Sequence, residues 1–182
     1  MKIQYNSPVI LTYALTSSIV LILSYILGPG FKSLFVLGST FSFTSLSDYI
    51  SLVSYIFGHA DWGHLVGNFA LILLVGPLLE EKYGSSTLIK MIVVTALVTA
   101  ALNILFFNNN VLGASGIVFM LILLSSFSSF QKGYIPMTFI LVFILYIGRE
   151  VVNSFENDQV SQFGHIMGGI CGGLFGFYSE RK

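Results

Sequence analysis

Ser115 is the residue whose neighbours best suit nucleophilic chemistry. It lies between Gly113 and Gly116 in LGASGIVF, where an apolar segment begins. In the first turn of a helix, unpaired backbone N–H groups and a partial positive charge would stabilise an alkoxide and an oxyanion. The two glycines would leave room for a substrate backbone. A serine in this setting is also a common helix cap or packing residue, so the motif alone leaves both interpretations open.

His165 is the candidate base, because a Ser hydroxyl is a poor nucleophile until a base accepts its proton. It stands at the top of a glycine-rich segment. Columns of small residues let helices approach closely in lipid, and such packing on the segment that begins at Ser115 would bring the two side chains together. The columns consist of Gly164, Gly168, Gly172 and Gly176 at four-residue spacing, with Gly169 and Gly173 beside them. We expect Gly168 and Gly172 to set the helix separation.

His64 and Asn68 are four residues apart, so in a helix they share one face. Both can donate a hydrogen bond, as an oxyanion hole in a water-poor site requires. A buried polar pair that bonds to a neighbouring helix is the alternative. A metal site is disfavoured, because the sequence has no His-Glu-x-x-His motif and His59 and His64, five apart, do not share a helix face.

The composition indicates a membrane protein. Of the 182 residues, 55% are hydrophobic and 9% are charged, whereas soluble domains carry about 25% charged residues. The formal net charge is zero, so nothing suggests a nucleic-acid partner. Cys171 has no second cysteine with which to form an internal disulfide, and we expect it to serve packing.

The hydropathy pattern predicts six transmembrane helices and a single all-α domain over residues 1–182. The first apolar run has about the 20 residues needed to span a bilayer and no clear cleavage site follows it, so we interpret it as a retained helix rather than a signal peptide. The predicted helices are Pro8–Leu27, Gly63–Leu79, Ser86–Phe107, Gly113–Phe130, Tyr134–Val151 and Gln162–Tyr178.

The segments between these helices complete the expected architecture. Residues 28–58 are too polar for a span and too apolar for a free loop, which predicts a long ordered first loop lying partly in the membrane interface, with short helices. The other connections are short polar breaks at 80–84, 108–110, 131–133 and 153–161.

The distribution of Lys and Arg predicts that both termini are cytoplasmic, in what we expect to be the plasma membrane. The cytoplasmic side would then carry six of the eight basic residues: Lys2, Lys82, Lys90, Lys132, Arg181 and Lys182. His59, His64, His165 and the turn before Ser115 would all fall toward the outer side, as one shared site requires.

Three stretches, taken in order, resemble the rhomboid intramembrane proteases: HADWGHLVGNFALILLVGPLLEEKYG, GASG and GHIMGGICGG. They match that family's His-x-x-x-Asn in the second helix, Gly-x-Ser-Gly at the start of the fourth, and His-x-x-Gly-x-x-x-Gly in the sixth. The resemblance implies that Ser115 is the nucleophile and His165 the base of a catalytic dyad. It also implies that His64, Asn68 and the Ser115 backbone N–H form the oxyanion hole.

The resemblance implies supporting roles and shows some departures. His59 matches a family position with a structural role in the first loop, and Glu80 matches an acidic residue at the inner end of helix 2. Phe119 stands where many relatives have Tyr, although its ring could still pack on the His165 imidazole. Gly164 precedes the catalytic His where Ala is frequent, and the family's Trp-Arg pair in the first loop is absent.

The predicted function is that of an intramembrane serine endopeptidase without metal or cofactor. By the resemblance, its partners are single-span membrane proteins in the lipid bilayer, which enter between helices 2 and 5. The sequence does not indicate an oligomeric state. The alternatives are a catalytically inactive rhomboid-like protein that binds membrane proteins, a metalloprotease, and a small channel or transporter, for which we see no inverted repeat of broken helices.

Overall fold

The computed structural model describes residues 3–107, 109–127, 134–147 and 159–179. The regular elements of this part of the chain are helices, as the sequence predicts, apart from one isolated β-bridge. Two 3-10 helices cover Ser33–Phe35 and Tyr55–Phe57, and a π-helix covers Phe143–Ile147. The α-helices are α1 Pro8–Leu27, α2 Pro29–Lys32, α3 Leu46–Ser54, α4 Trp62–Tyr83, α5 Ser85–Phe106, α6 Ser115–Ser125, α7 Met137–Val142 and α8 Gln159–Ser179.

Long apolar helices dominate the described part of the chain. By length and composition, three of its helices could each cross a membrane, namely α1, α4 and α5. The much shorter α6 is equally apolar. A total of six spans stays a prediction.

The bounds of the first helices follow from local signals. The predicted bounds of α1 are confirmed, with Pro8 at its first position, where a missing N–H costs nothing. The second predicted helix was too short at its C-terminal end. In the structure α4 continues through most of the predicted polar break at 80–84, and it ends at Gly84, whose φ of 80° favours glycine.

The later predicted helices need larger corrections. The fourth begins at Ser115 rather than Gly113 and ends at Ser125 rather than Phe130, although 128–130 lie outside the described residues. The fifth begins at Met137, directly after Pro136, and not at Tyr134. The remainder of the predicted fifth helix, 148–151, lies outside the described residues. The sixth is longer than predicted, from Gln159 to Ser179, and so includes the end of the predicted break at 153–161.

Glu80 ties three helix ends together. Its carboxylate accepts hydrogen bonds from the backbone N–H groups of Val9 at 3.0 Å and Ile10 at 3.1 Å, and from the Ser85 hydroxyl at 2.7 Å. The first N–H groups of a helix have no partner within it, and a negative charge there is favourable. The 5% exposed carboxylate of α4 thus caps α1 and contacts the start of α5.

The α6 helix forms the centre of the bundle. Its residues Ile117–Leu124 are all buried, and among the described helices it packs most extensively against α8. The glycine columns permit this contact. A Cβ atom added at Gly168 would overlap the carbonyl oxygen of Gly116, and one added at Gly172 would overlap that of Met120. The two backbones therefore touch where the sequence predicts close packing.

The segment 28–58 supports the turn that precedes Ser115. Leu37 and Val111 form an isolated antiparallel bridge, with N···O distances of 2.8 and 3.0 Å. Next to this bridge, the Asn110 side-chain oxygen accepts a hydrogen bond from the Ser39 backbone N–H at 2.9 Å. The backbone before α6 is thereby held to the first loop, and the Asn103 side chain of α5, which donates to the Asn109 carbonyl at 2.9 Å, holds it to the bundle.

Candidate active site

Ser115 is the first residue of α6 and follows a sharply turned Gly-Ala pair. Gly113 has a φ of 123°, and its N–H donates to the Tyr55 carbonyl at 3.0 Å. A Cβ atom at Gly113 would lie 2.7 Å from the Cε1 atom of His64. Glycine is therefore required here both by the backbone angle and by the approach of the imidazole. The turn leaves Ser115 at a helix N-terminus, where backbone N–H groups have no helical partner.

His165 lies on α8 opposite the first turn of α6. Its imidazole is stacked on the Phe119 ring, with centroids 4.4 Å apart and planes 5° apart. Phe119 is one helical turn after Ser115. His165, the candidate base, therefore lies against the face of α6 that carries Ser115, the candidate nucleophile. The carbonyl of Gly164 lies 3.2 Å from where a Cβ atom of Gly116 would be. Larger residues at Gly116 would push α8 and its histidine away.

One cavity of about 280 Å³ contains the four principal candidates. Ser115, His165, His64 and Asn68 all contribute to its wall, although they come from α6, α8 and α4. Gly113 and Gly116 line it too, whereas Gly168 and Gly172 lie deeper along the α6–α8 contact. The lining residues are Tyr55, His64, Asn68, Thr99, Val111, Leu112, Gly113, Ser115, Gly116, Gly164 and His165.

The hydrogen bonds of His64 define which ring nitrogen faces the cavity. The Asp61 side chain caps α4 by accepting from the His64 backbone N–H at 2.8 Å. The Ala60 N–H donates to the His64 Nδ1 atom at 3.4 Å. A neutral imidazole whose Nδ1 accepts carries its proton on Nε2. That Nε2 atom lies 2.8 Å from the Cβ position of Gly113, so its N–H group is available beside the turn.

Asn68 presents an amide donor to the same cavity. The residue is 8% exposed, and its Nδ2 atom has no hydrogen-bond partner among the described residues. A buried unpaired donor costs about 1–3 kcal/mol. The Nδ2 atom lies 3.9 Å from the Cβ position of Gly113, on the same side as His64. Two N–H donors therefore converge beside the backbone that leads into Ser115.

His59 supports His64 from behind and does not line the cavity. Its ring meets the His64 ring edge to face, with centroids 5.0 Å apart, and also contacts Phe69. Its Nδ1 atom bonds to the Phe57 carbonyl at 3.2 Å. Burial of this 2% exposed side chain, together with the nearby His64, lowers the pKa of His59 to about 4, against the raising effect of the Phe57 carbonyl. His59 is therefore a neutral packing residue.

Two polar residues of the cavity wall were not predicted from the sequence. Tyr55 donates its hydroxyl to the Ala96 carbonyl at 3.2 Å, while its own carbonyl holds Gly113. Thr99, from α5, completes the wall. Thr99 could have been found, because a polar residue inside a predicted span is a functional candidate by default. Tyr55 carried no such signal, since it lies in the irregular first loop.

The described residues include no group of three or more His, Cys, Asp and Glu side chains that could hold a metal ion. Cys171 is buried and has no second cysteine to pair with. The cavity wall brings together the Ser115 hydroxyl at a helix N-terminus, the His165 imidazole on the opposite helix, and the N–H donors of His64 and Asn68.

Comparison with known proteins identifies the family. The family model of the Rhomboid domain matches residues 46–182, well over half of the chain. This range includes all the residues described above as candidates, and the family resemblance of the sequence motifs is confirmed. None of the curated proteins compared with the chain matches it. The chain belongs to the rhomboid family of multi-pass membrane proteins.

Proposed function

We propose that the protein is an intramembrane serine endopeptidase in which Ser115 is the nucleophile and His165 the base. The observation that carries this proposal is the shared cavity lined by Ser115, His165, His64 and Asn68. Family membership supports the reaction class.

In the proposed acylation step, His165 accepts the Ser115 hydroxyl proton as the oxygen attacks the carbonyl carbon of the scissile peptide bond. The C=O electron pair moves to the oxygen, which becomes a tetrahedral oxyanion. The oxyanion accepts hydrogen bonds from the Ser115 backbone N–H, the His64 Nε2–H and the Asn68 Nδ2–H. Such preorganised donors are most effective in a water-poor site.

The intermediate then collapses and the C–N bond breaks. The protonated His165 gives its proton to the leaving amine, and an ester remains on Ser115. Water subsequently attacks this ester while His165 again accepts a proton, which releases the acid product and restores the Ser115 hydroxyl. The stacked Phe119 ring holds His165 in place during these transfers.

The proposed substrates are single-span membrane proteins. A substrate helix would reach the cavity from the lipid, between α4 and α7, and would unwind locally so that an amide is exposed to Ser115. The apolar side chains of Met137 and Leu141 on α7 are 67% and 52% exposed, which suits a helix bordered by lipid.

The proposed orientation puts both termini in the cytoplasm and the cavity toward the outer side of the plasma membrane, following the Lys and Arg distribution. A reporter fused after Lys182 should then give a cytoplasmic signal, and a tag inserted within 153–158 should be accessible from outside. The opposite pattern would overturn this orientation.

The experiment that tests the activity uses a fluorophosphonate probe, which reacts with an activated serine, together with single-span substrates in liposomes. Wild-type protein should be labelled and should cleave at least one substrate, whereas Ser115→Ala should do neither. Labelling that persists in Ser115→Ala would refute the assignment. A wild-type protein that is never labelled and never cleaves, but still binds membrane proteins, would instead be a catalytically inactive member of the family.

A further inference from the structure

Two cavities meet at the end of the bundle opposite Ser115. One is an apolar groove of about 480 Å³ between α1, α5 and the Tyr55–Phe57 turn. The other is a polar recess of about 440 Å³, formed by the residues before α1 and by the junction of α4 and α5. Pro8 and Ser85 line both, so the two spaces are continuous.

The groove has the chemistry of an acyl-chain site. Ile89, Ile92 and Val93 line it from α5, and Val53, Ile56 and Phe57 close its deeper end. Four hydroxyl-bearing side chains border it, and those of Thr12, Tyr13 and Ser85 have hydrogen-bond partners within the protein.

Two of these occupied groups are on α1. The Tyr13 hydroxyl donates to the Ile56 carbonyl at 2.9 Å, and the Thr12 hydroxyl bonds to that of Tyr5 at 3.0 Å. The surface that the groove offers to a bound molecule is therefore apolar.

The length of the groove matches one leaflet of a bilayer. From Ser85 at the helix start to Val93, the rise of α5 is about 12 Å, close to half of the roughly 30 Å hydrocarbon core. Since α1 and α5 are both long and apolar enough to span a membrane, the open side of the groove faces lipid. The polar end of the groove lies at the start of α1 and α5. This is the depth at which the headgroup of an inserted lipid would lie.

The recess carries negative charge. Among the described residues that line it, the charged ones are Glu80 and Glu81. The adjacent cation Lys82 is directed elsewhere, with its ammonium donating to the Phe127 carbonyl at 3.2 Å. The recess also lies at the C-terminal end of α4, where the helix dipole favours a cation. The start of α5 beside it already holds an anion, because the Glu80 carboxylate accepts from the Ser85 hydroxyl at 2.7 Å.

From this juxtaposition we propose that the groove and recess together bind one phospholipid with an amine-bearing zwitterionic headgroup, at the membrane surface remote from Ser115. The acyl chain lies in the groove along Ile89 and Val93. The ammonium lies beside Glu81. This site is separate from the catalytic cavity and does not depend on the proposed protease activity.

The test is native mass spectrometry of delipidated protein in detergent, titrated with phosphatidylethanolamine or with phosphatidylglycerol of identical chains. Wild type should retain one phosphatidylethanolamine and bind it about three-fold more tightly than phosphatidylglycerol, the scale of one exposed charge pair. Glu81→Gln should abolish this preference. Equal binding of the two lipids by wild type, or an unchanged preference in Glu81→Gln, would overturn the proposal.

Substitutions in the groove test the chain site. Ile89→Trp fills it and should weaken phosphatidylethanolamine binding about ten-fold, the effect of losing two buried methylene contacts. Val93→Trp, one turn deeper, is a second filling variant. Leu105→Trp, at a 71% exposed position of the same helix outside the groove, is the matched control and should bind like wild type.

Thermal midpoints check that the variants are folded. If folded Ile89→Trp and Val93→Trp both bind like wild type, the groove does not hold the lipid. If their only effect is to dissociate a dimer, the groove is a contact between two copies of the chain and the proposal is wrong.

Discussion

The Phe119 ring lies parallel to the His165 imidazole at a centroid distance of 4.4 Å, although the two residues belong to different helices. A histidine with two side-chain torsions is restricted by such a contact, because rotation of the ring would break the stack. Aromatic pairs contribute about 0.5–1.5 kcal/mol beyond their buried area. The stack thus restricts the orientation of the His165 imidazole, the proposed base, relative to α6.

Phe119→Leu should lower kcat about three- to ten-fold with little change in KM, because the base loses its orientation while substrate binding is unaffected. Phe119→Tyr keeps the flat ring and should remain close to wild type. Steady-state cleavage of one substrate in liposomes measures both. If Phe119→Leu and Phe119→Tyr reduce kcat equally, the stack is not what positions His165.

Gly172→Val should reduce cleavage more steeply than it reduces thermal stability or expression. Its side chain would overlap the Met120 carbonyl, and a displacement of about 1 Å between catalytic groups can cost on the order of 10²-fold in rate. Gly168→Val, whose side chain would overlap the Gly116 carbonyl, should have the same effect as Gly172→Val. The matched control is Leu174→Val, at a 50% exposed position on the same helix, which should keep full activity.

Ser115→Ala and His165→Ala should both abolish cleavage, and the double variant should look like either single one, because members of one catalytic unit are not additive. The fluorophosphonate probe should fail on both single variants. A His64→Ala protein that is inactive while His165→Ala still cleaves would identify His64 as the base instead.

Asn68→Ala should retain measurable activity. Loss of one oxyanion donor costs about 10²–10³ in turnover, and the Ser115 backbone N–H and His64 would remain. The probe should label Asn68→Ala more slowly than wild type. Asn68→Asp, which replaces the donor with an acceptor of equal size, should be slower still.

Protonation of His59 should destabilise the fold. Its pKa is lowered to about 4, so the unfolded chain binds a proton at about pH 6.5 that the folded chain does not bind until pH 4. The stability that depends on neutral His59 is present above pH 6.5 and is lost as the pH falls toward 4. The thermal midpoint of wild type should fall in this window by several degrees. His59→Phe cannot ionise and should show a flatter pH dependence. Parallel curves would assign the effect to another group.

The sequence predicted best those features that hydropathy, proline and glycine spacing report directly. The ends of α1 follow from hydropathy and Pro8, and the α6–α8 contact follows from the glycine columns. It failed where local side-chain hydrogen bonds end a helix. The apolar run after Ser115 continues beyond the true end of α6. There the hydroxyls of Ser125 and Ser126 bond back to carbonyls of the last turn, which hydropathy does not report.

The polar side chains of the candidate cavity could be predicted from the sequence. The backbone contacts that hold its wall in place could not. Ser115, His165 and His64 could be found because polar groups in apolar segments are rare. Tyr55 contributes mainly through its backbone carbonyl, which bonds to the Gly113 N–H. Any residue type has such a carbonyl, so no sequence pattern could identify it.

The carboxylate of Glu80 also constrains the order in which the protein can assemble. Its bonds to Val9 and Ile10 join residues about 70 positions apart in the chain. The N–H groups at the start of α1 therefore lack this partner until α4 has been synthesised and inserted. Docking of α1 through this contact therefore cannot precede the insertion of α4. A chain cut between α1 and α4 should consequently reassemble from its two inserted pieces, with Glu80 as the residue on which reassembly depends.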